Sequence, residues 1–179
     1  MLNEFSMHLA ERGDALGELL VGTAFWEGDG VQRDPAKAVY WLERYCAHSE
    51  NNYEAAYILG RAYMNGDGVA RNPVLAMKWL TIASNGLPEA QNLLGCLYRD
   101  AHEYDKAKTL FDAAAEKLRN RHFSVQTGGI RYCMELGVSQ GAKDAAINLA
   151  EMYERGIGVE KDVDEAAWLR NEVARANSV

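Results

Sequence analysis

Small and apolar residues recur three and four positions apart over most of this chain, broken at regular places by glycine. Ala55, Leu59, Ala62 and Tyr63 form one such stripe, and Ala90, Leu94, Leu97 and Tyr98 form another. This spacing predicts helices with one buried face, narrow enough for a neighbouring helix to approach closely. Glycine follows the aromatic at Gly28, Gly66 and Gly156, where it predicts a helix end, because glycine takes positive φ cheaply. A second glycine and a valine come next, and then a helix restarts. Asp34 and Asn72 are suited to cap that second helix, Pro35 and Pro73 to open it, and Asp162 with Glu165 reads as a capping box. Ala38, Ala76 and Ala166 mark its buried stripe. Trp41, Trp79 and Leu169 follow three residues later and are predicted to lie in the core.

The whole unit is repeated. Val21-Gly22-Thr23-Ala24-Phe25-Trp26-Glu27-Gly28-Asp29-Gly30-Val31 returns as Leu59-Gly60-Arg61-Ala62-Tyr63-Met64-Asn65-Gly66-Asp67-Gly68-Val69. It returns again as Leu149-Ala150-Glu151-Met152-Tyr153-Glu154-Arg155-Gly156-Ile157-Gly158-Val159, and Leu94-Gly95-Cys96-Leu97-Tyr98 is a copy without the glycine loop. A period in the thirties means stacked helix pairs. The expected fold is therefore all-α: one right-handed α-solenoid domain over 1–179, with eight or nine helices. Its units are approximately 13–48, 51–86, 87–118 and 141–174. Residues 119–140 fit no unit. They are expected to form a loop near Asn120–Gly129 and then an extra helix from about Ile130 to Ser139.

At these residues the chain resembles the Sel-one-like repeat family, relatives of tetratricopeptide repeats with a longer loop between the helices. The resemblance covers roughly 10–118 and 138–174. It implies an α-solenoid that mediates protein contacts, with first helices lining the concave side. It names no partner.

Composition narrows the function. The apolar content of 48% suits a folded domain. A net charge of −7 argues against nucleic acid, which needs a basic footprint, and permits a basic partner protein. No apolar run is long enough to span a membrane, and the first residues show no signal-peptide pattern, so a cytoplasmic location is expected. Cys46, Cys96 and Cys133 are odd in number and are expected to be free thiols. His8, His48, His102 and His122 are scattered without ligand spacing, and no cofactor or metal is expected. Asp29 and Asp67 lie between paired glycines. The lysine of a phosphate loop and the carboxylate series of a calcium loop are both missing there. Ser124 and Ser139 have no His and Asp at a legible spacing, so catalysis is not expected.

The column one residue past each anchor aromatic holds Trp26, Met64, Arg99 and Glu154. Its varied polarity means that packing does not dictate it. Stepping back along the helices gives Leu19, Thr23, Trp26; Tyr57, Arg61, Met64; Asn92, Cys96, Arg99; and Ile147, Glu151, Glu154. The candidate protein-binding residues are Trp26, Tyr57, Arg61, Met64, Arg99 and Glu151, rich in the types that carry interface energy. The expected function is a non-enzymatic protein-binding adaptor or regulator. The alternatives are an immunity protein occluding a toxin or lipase effector and, third, an enzyme accessory subunit.

Overall fold

The computed structural model describes residues 4–49, 52–119, 122–127, 130–135 and 138–178. They fall into two compact units, Met1–Gly86 and Leu87–Val179. The first contains α1 (Glu4–Glu11), α2 (Ala15–Glu27), α3 (Pro35–His48), α4 (Tyr53–Asn65) and α5 (Pro73–Ala83). The second contains α6 (Pro88–Asp100), α7 (Tyr104–Arg119), β1 (His122–Thr127), β2 (Ile130–Glu135), α8 (Gln140–Arg155) and α9 (Val163–Ala176). Helices pair as α2 with α3, α4 with α5, α6 with α7 and α8 with α9, which are the expected repeat units.

The helix ends form as their residues dictate. Asp34 accepts from the Lys37 amide at 3.1 Å, Asn52 from Ala55 at 2.9 Å and Asp162 from Glu165 at 2.9 Å, each satisfying an orphan donor of the first turn. Gly66 ends α4 at φ +82°, and its amide donates to the Ala62 carbonyl at 2.8 Å. Gly68, two residues on, has a different duty. A Cβ there would lie 2.3 Å from the Ala36 amide nitrogen, so the loop of one repeat rests directly on the start of α3 in the repeat before it.

Within the first three pairs the helices meet at a glycine. A Cβ on Gly22 would lie 2.7 Å from Leu42 Cγ, one on Gly60 2.7 Å from Leu80 Cγ, and one on Gly95 2.6 Å from the Phe111 ring. Leu42, Leu80 and Phe111 are completely buried. Trp41 is buried too, but Trp79, placed in the core on its sequence column, is only half-buried at the edge of the Val39–Leu42–Leu59 cluster. The knob at that level is Leu80, its neighbour. The helix α1 precedes the first expected unit. It packs on α2 so closely that a Cβ on Gly17 would meet the Ala10 amide nitrogen at 2.6 Å.

The helix expected over Ile130–Ser139 does not form. Residues 130–135 are β2, paired antiparallel with β1 in a register that sets Thr127 opposite Ile130 and His122 opposite Glu135. The reason is legible afterwards. Phe123, Val125 and Thr127, then Ile130 and Tyr132, alternate with period two, and the two residues between the paired ends are glycines, the composition that short hairpin connections favour. The loop expected near Asn120–Gly129 is β1 over 122–127; the rest of it, 120, 121, 128 and 129, lies outside the described residues. The insertion interrupts the sequence but not the packing. α8 lies against both α6 and α7, and a Cβ on Gly141 would come within 2.4 Å of Glu89 Cα.

Two stability series check this packing. Gly66→Ala meets nothing nearer than 3.5 Å, so it should lose only the cost of holding alanine at positive φ, about 1–2 kcal/mol. Gly68→Ala adds a backbone collision and should lower the urea midpoint clearly further. Leu80→Ala should cost about 2–5 kcal/mol, and Trp79→Ala less than the roughly 3–5 kcal/mol of a fully buried aromatic. Equal midpoints for the two glycine variants, or a larger loss at Trp79 than at Leu80, would contradict these placements.

Candidate functional site

The candidate residues of Met1–Gly86 lie on α2 and α4, all of them half-buried. The Trp26 ring is flanked by two guanidinium groups, Arg33 at 5.2 Å and Arg61 at 6.0 Å from its centroid. Arg61 also lies 5.6 Å from the centre of the Tyr57 ring. Cation and aromatic therefore alternate along the face as Arg33, Trp26, Arg61, Tyr57. Such contacts hold flexible arginine side chains extended over the rings. Arg33 is fixed further by donating Nε–H to the Trp26 carbonyl at 3.1 Å. Arg71, its equivalent one repeat later, donates Nε–H to the Met64 carbonyl at 3.1 Å.

The α2 helix buries Val21, Ala24 and Phe25, and with them one carboxylate, while two of its leucines face outward. Glu18 has no exposed surface, while Leu16 and Leu20 are 61% and 45% exposed. A buried carboxylate is costly unless a cation meets it. Arg44 Nη2 approaches Glu18 Oε1 to 2.9 Å, and the same guanidinium lies 5.0 Å from the centre of the Trp41 ring. The contact is charge against charge, since neither Glu18 oxygen meets hydrogen-bond geometry with a described donor.

In Leu87–Val179 most of the corresponding positions, Cys96 and the exposed Ile147 apart, are polar and occupied with one another or with neighbouring polar groups. Arg99 Nη1 donates to Asn148 Oδ1 at 3.0 Å and lies 3.9 Å from Glu151 Oε2, while its Nε is 3.6 Å from Asp100. Glu151 also accepts from Arg155 at 2.8 Å, and Asn148 donates to Asn92 at 2.9 Å. Glu154 takes Arg170 with both oxygens, at 2.8 and 2.9 Å, and that pairing holds its carboxyl below the usual carboxylate range. A groove of about 540 Å³ opens beside this network, lined by Arg99, His102, Tyr104, Glu151 and Arg155 among others. His102 has φ +62° and sets Nδ1 2.7 Å from the Tyr104 hydroxyl. The structure thus brings Trp26, Tyr57 and Arg61 together in one unit, and Arg99 and Glu151 together in the other.

The model of the Sel1 repeat matches residues 15–48, 54–86, 88–117 and 143–169, well over half of the chain. This chain belongs to the Sel1 repeat family. Its four matches coincide with the four helix pairs, and the insertion falls between the last two. No curated protein matches the sequence. Among solved structures, a Sel1 repeat protein from Oxalobacter formigenes is similar at a TM-score of 0.73 and 21% identity, over 96% of this chain and 61% of that one. The protein c5321, a protective antigen present in uropathogenic Escherichia coli strains displaying an SLR fold, is similar at 0.58 and 23%, over 96% of this chain and 40% of its own. MamA is similar at 0.53 and 17%, over 99% of this chain and 97% of its own. The chain therefore spans less than two thirds of the length of the first two. At these identities the likeness is one of fold.

Sel1 repeats are, in general, protein-interaction modules, and the chemistry of the described residues is consistent with that. No group of three or more His, Cys, Asp or Glu among them is placed to hold a metal ion, and no described helix is long and apolar enough to cross a membrane. Cys46 and Cys96 carry free thiols. Burial pushes the Cys46 thiol up to about 11, with Glu43 adding to the effect, and burial raises Cys96 as well. Neither forms a reactive thiolate at neutral pH. The side chain of Cys133 lies outside the described residues.

The candidate stripe omitted Leu16, Leu20 and Arg33. The signal for the leucines was present: 16, 20 and 23 share a helix face, and α2 is apolar nearly all round, more than one buried face requires. Arg33 could not be found by helical spacing, because it reaches Trp26 from the loop.

Thiol chemistry gives a direct check. In native protein at neutral pH, Cys46 and Cys96 should alkylate far more slowly than in denaturant, and raising the pH toward 9 should only partly close the gap. Mass spectrometry showing either residue modified as fast as a free model thiol would contradict the raised values.

Proposed function

We infer that this chain is a non-catalytic adaptor or regulator that binds a partner protein on the first-helix face of residues 1–86. The observation that carries this reading is the exposure of Leu16 and Leu20 on α2, the helix that buries Glu18. Burying a carboxylate while exposing two leucines on one helix destabilises an isolated module. It is offset if a partner covers the leucines, since full burial of such a side chain contributes about 1.5–3 kcal/mol and these two have roughly half of that still to gain. Trp26, Tyr57 and Met64 extend that apolar surface, and the arginines rim it. This is the composition of interface centres. The half-buried free thiols suit a reducing compartment, which supports the cytoplasm as its location.

Arg99 and Glu151 hold a lesser place in this reading. Recruiting Arg99 to a partner means first breaking its contacts with Asn148, Asp100 and Glu151, which removes much of what a new pair would add.

Affinity capture on the folded chain tests the proposal. A partner held by the wild type should be lost with Leu16→Asp combined with Leu20→Asp. For a purified partner, Trp26→Ala should weaken binding by about tenfold or more, roughly 1.4 kcal/mol. Trp41→Ala should instead act through stability. A partner that binds all the face variants like wild type would remove this face from consideration.

A further inference from the structure

The charges of the face specify its occupant more closely than its apolar surface does. The chain carries a net charge of −7, yet Arg33, Arg61 and Arg71 all lie on or beside this one patch, and none of them forms an ion pair among the described residues. Most of the other described arginines, Arg12 apart, are answered by carboxylates. Arg44 meets Glu18, Arg99 meets Asp100 and Glu151, Arg119 meets Asp112 and Glu165, and Arg170 meets Glu154. The contrast is sharpest between Arg61 and Arg99. Each stands on the candidate stripe of a first helix, but Arg61 is stacked on Trp26 and Tyr57 where Arg99 is held by an amide and two carboxylates.

A guanidinium lying over an aromatic face keeps its N–H donors in its own plane, free to point away from the ring, and the contact limits how far the side chain swings. That is the arrangement a carboxylate takes up, two oxygens to two N–H groups, with little rotamer freedom left to lose. Arg33 has spent Nε on the Trp26 carbonyl, so its terminal N–H groups remain for a ligand. Arg71, held in the same way at Met64, repeats the feature one unit on. On the adjoining side of α2, which shares Thr23 with the stripe, Leu16 and Leu20 offer the apolar half of the site.

We propose that the occupant of this face is an acidic, apolar segment of the partner protein. An Asp or Glu of that segment sits on Arg61 and Arg33, and its leucine or aromatic side chains lie on Leu16, Leu20 and Trp26. The proposal rests on the reading of the chain as a protein-binding module. It departs from the partner that the overall charge permits: a basic segment would meet three arginines, which repel it at close range whatever the sign of the distant field.

Selection from a display library of random peptides on the immobilised full chain tests this, with each variant's fold checked by circular dichroism. The enriched peptides should carry Asp or Glu next to leucine or an aromatic residue. Calorimetry on a synthetic copy should show affinity falling with added salt, and falling about tenfold or more in Arg61→Glu. Replacing the peptide's acidic residue by lysine should weaken binding to the wild type and recover it in Arg61→Glu. Enriched peptides that are basic or uncharged, but lose affinity in Leu20→Asp and Trp26→Ala, would overturn the acidic occupant and leave the interaction face standing. No enrichment, or peptides indifferent to Leu20→Asp and Arg61→Glu alike, would overturn the occupant and the face together.

Discussion

The architecture depends on how closely two helices can approach within a repeat. Gly22, Gly60 and Gly95 leave room where any side chain would collide with Leu42, Leu80 or Phe111, so each pair closes around one large knob seated on bare backbone. That contact sets the distance between helices, and the distance decides which columns are buried. Interiors packed to this density tolerate little change in volume. The last pair departs from the rule: Ala150 stands in the glycine column, and Arg170 stands where Leu42, Leu80 and Phe111 stand. Arginine cannot serve as that knob. It turns outward to Glu154, and Leu169, one residue earlier, is the fully buried side chain.

Once these contacts claim their columns, the rest of each first helix is free to vary, and the two compact units use that freedom differently. Leu87–Val179 fills it with polar groups that satisfy one another, Asn92 with Asn148, Asn148 with Arg99, and Glu151 with Arg155. Met1–Gly86 fills it with leucine, tryptophan, tyrosine and stacked arginine. A satisfied polar network resists desolvation, because each bond broken must be replaced. Apolar groups impose no such cost, and an arginine over a ring has no internal bond to break before it meets a partner's acceptor. Equivalent positions of one repeat thus differ in how readily they accept a partner.

Most of the repeat grammar was legible in the sequence, because each element rests on local chemistry. A cap at Asp34, a proline at Pro35 and a left-handed glycine at Gly66 need only a few neighbours, and all three form as read. Trp79 shows the limit. Its column is right, but which of two adjacent side chains points inward depends on the rotation of α5 against α4, and that is fixed by Gly60, on a different helix. The insertion shows another limit. Period-two alternation and a Gly-Gly pair are present at Phe123–Tyr132, but strands this short carry a weaker signal than the helical stripes on both sides. The candidate face was half legible. Trp26, Tyr57 and Arg61 follow from spacing, whereas Arg33 comes from a loop and Leu16 and Leu20 are distinguished only by what the rest of α2 buries.

Glu18 explains why the face should be apolar at all. A carboxylate in the first turn of α2 would normally mark the solvent side of the helix. Here Arg44, stacked on Trp41, draws it inward. The helix has little other charge, only Glu27 in its last turn, so with Glu18 inside its outer surface has only Leu16, Leu20 and Thr23 to offer until that end is reached. An ion pair beneath the helix and the apolar patch above it are therefore two sides of one arrangement: the rotation of α2 that satisfies the buried charge is the rotation that presents the leucines.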